Sequence, residues 1–304
     1  MRARLVACAG LMLLAVGCGN RQAEVLPAGL PAAKVARCVM SFPDVRAGRL
    51  ARARLAGDIA RYLARRPGRV VYAAHDLVSG ISLGPGRRRD ELVMAGGARV
   101  DLLMALLSRR AGKLGEGEGE RDLAARMFAE SDAGVAGAVW ARVGGSGAMS
   151  AFYRRMGLGH TTPGRGGDWG GTTSSPSDRV RLLKALVKGG GGLSAADRDL
   201  VLGLMGRPPE GQGWGVSAAA RRGDRVALVN GATPRPSVHD TWAVGSYGRI
   251  AGTGRDLLLS VQTDLQPGEG AGIETVEGVA RMIGTRWDGL TPTTRRPCPT
   301  NPLP

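Results

Sequence analysis

Apolar residues fall into short periodic blocks separated by glycine and proline. In residues 45–66, Val45, Leu50, Leu55, Ile59, Tyr62 and Leu63 recur at helical spacing, and Pro67-Gly68 stops the helix. Residues 69–74 read as a buried strand, with 80–83 as its hairpin partner. The apolar stretch Val100 to Leu107 runs on into Ser108 and is helical, and the Gly/Glu repeat at 115–120 reads as a low-complexity loop. Helical patterns follow at 121–129, 132–143 and 146–156. A glycine-rich loop, 157–175, leads to Ser177-Asp178, which reads as the N-cap pair of a helix to 188, and Ser194 caps another to about Met205. Beyond 215, the segments 217–220, 225–230, 242–250 and 257–263 read as strands, followed by a helix from about Glu269 to Trp287. Two strand blocks so far apart most simply form one sheet, which makes the helical middle (about 96–212) an insertion.

The N-terminus has a different character. Arg2 and Arg4 precede an apolar run from Leu5 to Gly17, too short for the ~20 residues a bilayer span needs but suited to a signal-peptide core. It ends Leu14-Ala15-Val16-Gly17-Cys18, and small residues directly before a cysteine resemble a bacterial lipoprotein signal. That resemblance implies cleavage after residue 17, a lipidated Cys18 and an extracytoplasmic protein held at the outer face of the cell membrane. An ordinary secretory signal with an incidental Cys18 is the alternative, and it also exports the chain. The expected organisation is a signal peptide at 1–17, a lipidated tether at 18–44, a domain at 45–288 and a Pro-rich tail at 289–304.

Composition narrows the partners. The chain has 304 residues, 43% hydrophobic and 22% charged, which is globular composition. Lys+Arg 42 against Asp+Glu 26 leaves +16, and only Lys34, Lys113, Lys184 and Lys188 are lysines. Three Phe, five Trp and four Tyr are scattered, so no base-stacking platform is visible and no nucleic-acid partner is expected. An anionic membrane surface or cell-wall component satisfies the same charge. His75, His160 and His239 are isolated and read as structural or solvated, no CxxC occurs, and neither a metal nor a cofactor is expected. Gly84-x-Gly86 reads as a turn rather than a phosphate loop, because Pro85 interrupts it and no helix follows.

The element order, with particular residues at particular places, resembles the class A β-lactamase and penicillin-recognising serine hydrolase family over about residues 45–288. The resemblance implies an α/β fold: an antiparallel sheet flanked by N- and C-terminal helices, with an inserted all-helical subdomain. In that family a Ser-x-x-Lys opens the first core helix, a Ser-Asp-Asn follows in the helical domain, and a Lys-Thr-Gly lies on the strand beside the pocket. Here Met94-Ala95-Gly96-Gly97-Ala98-Arg99-Val100 stands at the first motif and Glu130-Ser131-Asp132-Ala133 at the second, with Val143-Gly144-Gly145 after it. Val229-Asn230-Gly231-Ala232 stands at the third. Trp169-Gly170-Gly171-Thr172-Thr173 with Asp178 resembles the loop-to-helix entry of actinobacterial relatives, and Trp242 to Gly248 the family's later strands.

The departures remove the chemistry that the resemblance implies. Gly96 holds the serine position, so there is no hydroxyl to acylate. Arg99 holds the lysine position, and a guanidinium does not deprotonate in proteins. Ala133 replaces the Asn, Val229 the strand Lys, and loop 157–175 has no Glu to activate a deacylating water; Asp168 is its only carboxylate. Ser131, Asp132, Asn230 and Gly231 survive, and the mature chain contains no Ser-x-x-Lys and no Gly-x-Ser-x-Gly elbow, because Gly80-Ile81-Ser82-Leu83-Gly84 lies on the hairpin strand. A non-catalytic protein is therefore expected, the competing class being a serine hydrolase that uses a non-standard residue.

Two uses of a vacated pocket stand open. The family's oxyanion hole carries over to the amides of Gly96 and Ala232, which with Ser131 and the Arg99 fork would suit a peptide-like or carboxylate ligand. Alternatively, the pocket has decayed, Arg99 is paired with Asp132 or another carboxylate, and the fold is a scaffold. Once Cys8 leaves with the signal and Cys18 carries lipid, Cys38 and Cys298 remain. In this fold family the first and last long helices pack side by side, which brings their flanks together and implies a Cys38–Cys298 disulfide. Oligomeric state is not expressed in the sequence.

Overall fold

The computed structural model describes residues 38–84, 90–109, 118–129 and 133–298. The signal-like segment with Cys18, Gly86, the Arg87–Arg89 run, and Ser131 and Asp132 lie outside the described residues.

The elements run β1 (Val39–Pro43), α1 (Val45–Leu63), β2 (Arg69–Asp76), β3 (Ser82–Leu83), β4 (Leu92–Val93), α2 (Arg99–Ser108), α3 (Glu118–Ala129), α4 (Ala133–Val143) and α5 (Gly145–Arg155). They continue with β5 (Thr161–Thr162), β6 (Thr173–Ser174), α6 (Pro176–Lys188), α7 (Ala195–Met205), β7 (Arg225–Arg235), β8 (Thr241–Gly252), β9 (Arg255–Gln266), α8 (Glu269–Arg286) and β10 (Thr293–Pro297). The main sheet has the order β3-β2-β9-β8-β7, all antiparallel. The two distant strand blocks do form one sheet, with the helices between them inserted.

Two cores divide the body Ser41–Arg295. One joins Leu55 and Ile59 of α1 to Val276, Val279 and Ile283 of α8 against one sheet face, so the first and last long helices pack side by side. The other gathers the helical middle around α2, where every residue from Val100 to Leu107 is buried. A helix buried on all sides, apolar apart from Asp101, belongs in the centre of a domain, and each fully buried aliphatic side chain there contributes roughly 1.5–3 kcal/mol.

Among the described residues, Cys38–Met40 and Arg296–Cys298 fall in a separate small unit. Within it a disulfide joins Cys38 to Cys298, with Cα atoms 5.3 Å apart, and the Cys298 amide donates to the Cys38 carbonyl at 3.0 Å. Parts of the segments read as tether and tail are thus ordered: β1 and β10 make a two-stranded sheet.

Several local readings change. Ser175, not Ser177-Asp178, caps α6, because Pro176 takes the first helical position and the Ser175 side chain accepts from the Asp178 amide at 3.2 Å. Residues 217–220 are not a strand. Gly215–Ala219 is a 3₁₀ turn packed on α8, held by the Val216 amide donating to Ser246 Oγ at 2.9 Å. Helix α3 begins at Glu118, inside the stretch read as low-complexity loop.

Candidate functional site: a closed motif cluster

The first motif lies where a core helix begins. Ala95–Ala98 form a 3₁₀ turn leading into α2, and Ala95 takes φ +45°, a left-handed conformation uncommon outside glycine. The turn is held from several sides. The Met94 amide donates to the Thr172 carbonyl at 2.8 Å, the Gly97 amide to the Met94 carbonyl at 2.9 Å, and Tyr247 Oη to the Gly97 carbonyl at 2.9 Å.

Strand β7 closes directly onto this turn. A Cβ on Gly96 would lie 2.9 Å from the Asn230 carbonyl oxygen and 2.5 Å from Arg99 Nη2. A Cβ on Gly231 would press on the Met94 carbonyl and lie 2.8 Å and 2.9 Å from the Gly97 and Gly96 nitrogens. Non-bonded carbon needs about 3.5 Å, so two glycines facing each other permit this backbone-on-backbone approach.

The surviving side chains serve the packing. Val229 is buried with Met94, Ala98 and Tyr247. Asn230 Nδ2 donates to the Gln212 and Trp214 carbonyls at 2.8 and 3.2 Å, tying down the preceding loop. Arg99 is half-buried, and burial lowers its pKa below the ordinary guanidinium value. Beside it, among Phe128, Pro208, Pro209, Gln212 and Val229, lies a cavity of about 20 Å³, room for roughly one water molecule. The structure thus brings Gly96, Arg99, Asn230, Gly231 and Ala232 together; Ser131 and Asp132, outside the described residues, are not placed.

Beneath the turn lies a polar network that the sequence reading did not single out. Asp101 and Arg179 are both 0% exposed, and Arg179 Nη1 donates to the two carboxylate oxygens at 2.6 and 2.8 Å. Arg179 Nε reaches Ser174 Oγ at 2.8 Å, and the guanidinium lies 5.6 Å from the centre of the Tyr247 ring. Burial raises the pKa of Asp101 against the pull of Arg179. At Arg179 burial opposes the charge, but the attraction of Asp101 outweighs it and the pKa rises. Burial, then Asp101, pushes the Tyr247 phenol far up, which keeps it a donor to Gly97. The clue in sequence was an Asp inside the apolar run 100–107, since a charge there needs a buried partner.

The lone carboxylate of the glycine-rich loop is a local cap: Asp168 Oδ1 accepts from the Gly171 amide at 2.9 Å. Asp178 is buried and accepts from the His160 amide and Thr161 Oγ1 at 2.7 and 2.9 Å.

The closest Ser–His pair among the described residues is elsewhere. Ser82 Oγ and His75 Nδ1 are 2.9 Å apart on the β2–β3 hairpin, beside a cavity of about 420 Å³ that Val180 and Lys184 of α6 also line. Burial, then Lys184, lowers the pKa of His75. No carboxylate among the described residues orients this imidazole, so the triad arrangement is incomplete. No group of three His, Cys, Asp or Glu side chains among the described residues is placed to hold a metal ion.

The five-stranded sheet, the inserted helical subdomain and the motif turn at the head of a core helix recur together in solved structures. The chain superposes on PBP-A with a TM-score of 0.67 at 20% identity, over 77% of this chain and 96% of that one. A class A β-lactamase from Mycobacterium abscessus superposes at 0.66 with 21% identity, over 77% and 99%. The chain has the class A β-lactamase fold. The TLA-3 extended-spectrum β-lactamase also shares it, at TM-score 0.67 and 14% identity over 77% and 98%. No protein-family model matches the chain, and no curated protein matches it in sequence. The fold expected from the motif-bearing segments is therefore shown, while the comparisons carry no activity across at such identities.

Proposed function

We propose that this β-lactamase-fold protein is an exported lipoprotein, tethered through Cys18 to the outer face of the cell membrane, that works as a non-catalytic envelope scaffold. The observation that carries the reading is the contact between Gly96 and β7. Covalent catalysis needs a nucleophile with space in front of it for an acyl group. Here the nucleophile position has no side chain, and the Asn230 carbonyl lies 2.9 Å from where its Cβ would be. The backbone nitrogen of Gly96 lies 2.9 Å from where a Cβ on Gly231 would be, so the strand packs against this amide. An oxyanion hole stabilises charge only when its donors point at a vacant position.

The scaffold use is favoured over ligand capture for the same reason. Among the described residues, the cavity beside Arg99 holds about 20 Å³, less than a carboxylate or peptide-like ligand needs. Export is supported by Arg2 and Arg4 before the apolar run Leu5–Gly17 and by the small residues ahead of Cys18. The test is turnover of the chromogenic cephalosporin nitrocefin by the purified chain. The reading expects a rate equal to that of buffer, and steady turnover would sink it.

A further inference from the structure

From the outward face of α1 we infer that the folded body docks on an anionic lipid surface through this helix. The inference deepens the envelope placement above by naming the surface that meets the membrane. The inward face of α1, with Gly48, Leu55 and Ile59 buried, packs on the domain. At 100° per residue the exposed Arg46, Arg49, Leu50, Ala53, Arg54, Ala60 and Arg61 share the opposite side, within an arc of roughly 140°. Arg65 follows just past the helix and is also exposed.

This face carries arginines without matching carboxylates. The helix has one acidic residue, Asp58, and it is engaged by both Arg61 and Arg286. Arg52 is turned to the Leu290 carbonyl at 3.4 Å, and Arg66 pairs with Glu274 at 2.7 Å. Among the described residues Arg46, Arg49, Arg54 and Arg65 form no ion pair, although the structure holds many.

Apolar exposure decides between lipid and a polyanion. Val45 is 65% exposed and Leu50 51%, in the first two turns of α1 among the arginines, and Phe42, 43% exposed, stands just before them in β1. A soluble polyanion rewards charge alone, whereas a lipid interface rewards charge together with shallow apolar insertion. Small residues at 53, 60 and 64 let the helix approach the head groups while the arginine stems extend sideways. Helix α1 is also the first helix among the described residues, and the segment between it and Cys18 spans at most about 90 Å when extended.

The test uses the full chain carrying Cys18→Ala, so that no attached lipid contributes. Sedimentation is measured with vesicles of phosphatidylglycerol and phosphatidylcholine in equal parts, and with phosphatidylcholine alone. Each surface arginine is worth about fivefold in partitioning. The Arg46→Gln, Arg49→Gln, Arg54→Gln, Arg65→Gln quadruple variant is expected to lose the preference for anionic vesicles by nearly three orders of magnitude. A control with Arg142→Gln, Arg154→Gln, Arg165→Gln and Arg222→Gln removes the same charge from exposed sites elsewhere and is expected to lose less than about fivefold. Val45→Ser with Leu50→Ser is expected to weaken the binding that survives added salt. Equal losses in both quadruple variants overturn the inference, since diffuse charge would then be responsible. Stronger binding to soluble poly(glycerol phosphate) than to vesicles, unaffected by Val45→Ser with Leu50→Ser, overturns it in favour of a wall polymer. Neither result depends on whether Cys18 is lipidated in the cell.

Discussion

The carbonyl oxygen of Asn230 stands 2.9 Å from the point a Cβ on Gly96 would occupy, although the two residues are far apart in sequence. The missing side chain at position 96 and the close approach of β7 therefore go together in this structure. A side chain at Gly96 would hold β7 away, and a side chain at Gly231 would do the same from the other side.

Gly231→Ala is therefore expected to destabilise the fold by about 3 kcal/mol, the upper end for overpacking, because its methyl meets backbone atoms that have nowhere to move. Gly97→Ala meets only side-chain atoms, Met94 Cε at 3.1 Å and Tyr247 Cε1 at 3.4 Å, and should lose less than half as much. Urea denaturation of the two variants compares them; equal losses would show that the close approach is not what limits position 231.

Breaking the buried pair should be more damaging than replacing it. Asp101→Ala leaves Arg179 charged and 0% exposed, and about 3–5 kcal/mol is expected to be lost, on the order of 10 °C in Tm. Asp101→Leu together with Arg179→Met removes both charges and should recover most of it. A double variant as unstable as the single one would mean that the hydrogen bonds to Ser174 and Thr161 matter more than the pair itself.

Asp76 gives the stability a dependence on acid. Burial opposes its charge, but hydrogen bonds from the Ser79 hydroxyl at 2.6 Å and from the Asp256 and Ser79 amides at 2.7 and 3.0 Å hold its pKa below the ordinary value of 3.8. A carboxylate with a lowered folded pKa contributes stability that is fully present above the unfolded pKa and lost as pH falls through the folded one. Tm should hold steady above about pH 5 and fall below about pH 4, with a shallower acid limb in Asp76→Asn. An unchanged acid limb in that variant would assign the effect to other carboxylates.

The order of helices and strands was legible because the apolar period switches from helical spacing to strand runs and back. What misled was local. Ser177 looked like a cap because Ser-Asp is a good cap pair, but Pro176 moves the boundary back to Ser175. Residues 217–220 are too short for a period to tell a strand from a turn, and Gly215 at φ +88° bends the chain there. At the site, the identities of Gly96 and Arg99 disclosed the missing chemistry. The closing of β7 was not legible, since it depends on backbone atoms of distant segments that no residue pattern specifies. Arg179 carries no mark of its own in so basic a chain, although Asp101 in an apolar helix requires such a partner.

Attachment is checked separately from catalysis. Cys18→Ala should abolish lipid labelling and move the protein from the membrane fraction toward the medium. Unchanged lipid labelling in that variant would show that Cys18 is not the attachment point.

The most direct measurement is intact-mass analysis and gel fluorescence after incubation with a fluorescent penicillin, for the native chain and for Gly96→Ser with Arg99→Lys. A closed, nucleophile-free site predicts no covalent adduct on the native chain, and none on the double variant because the new side chain meets the Asn230 carbonyl. An adduct on the native chain would contradict the non-catalytic account, and rapid stoichiometric labelling of the double variant would contradict the closure of the site by β7.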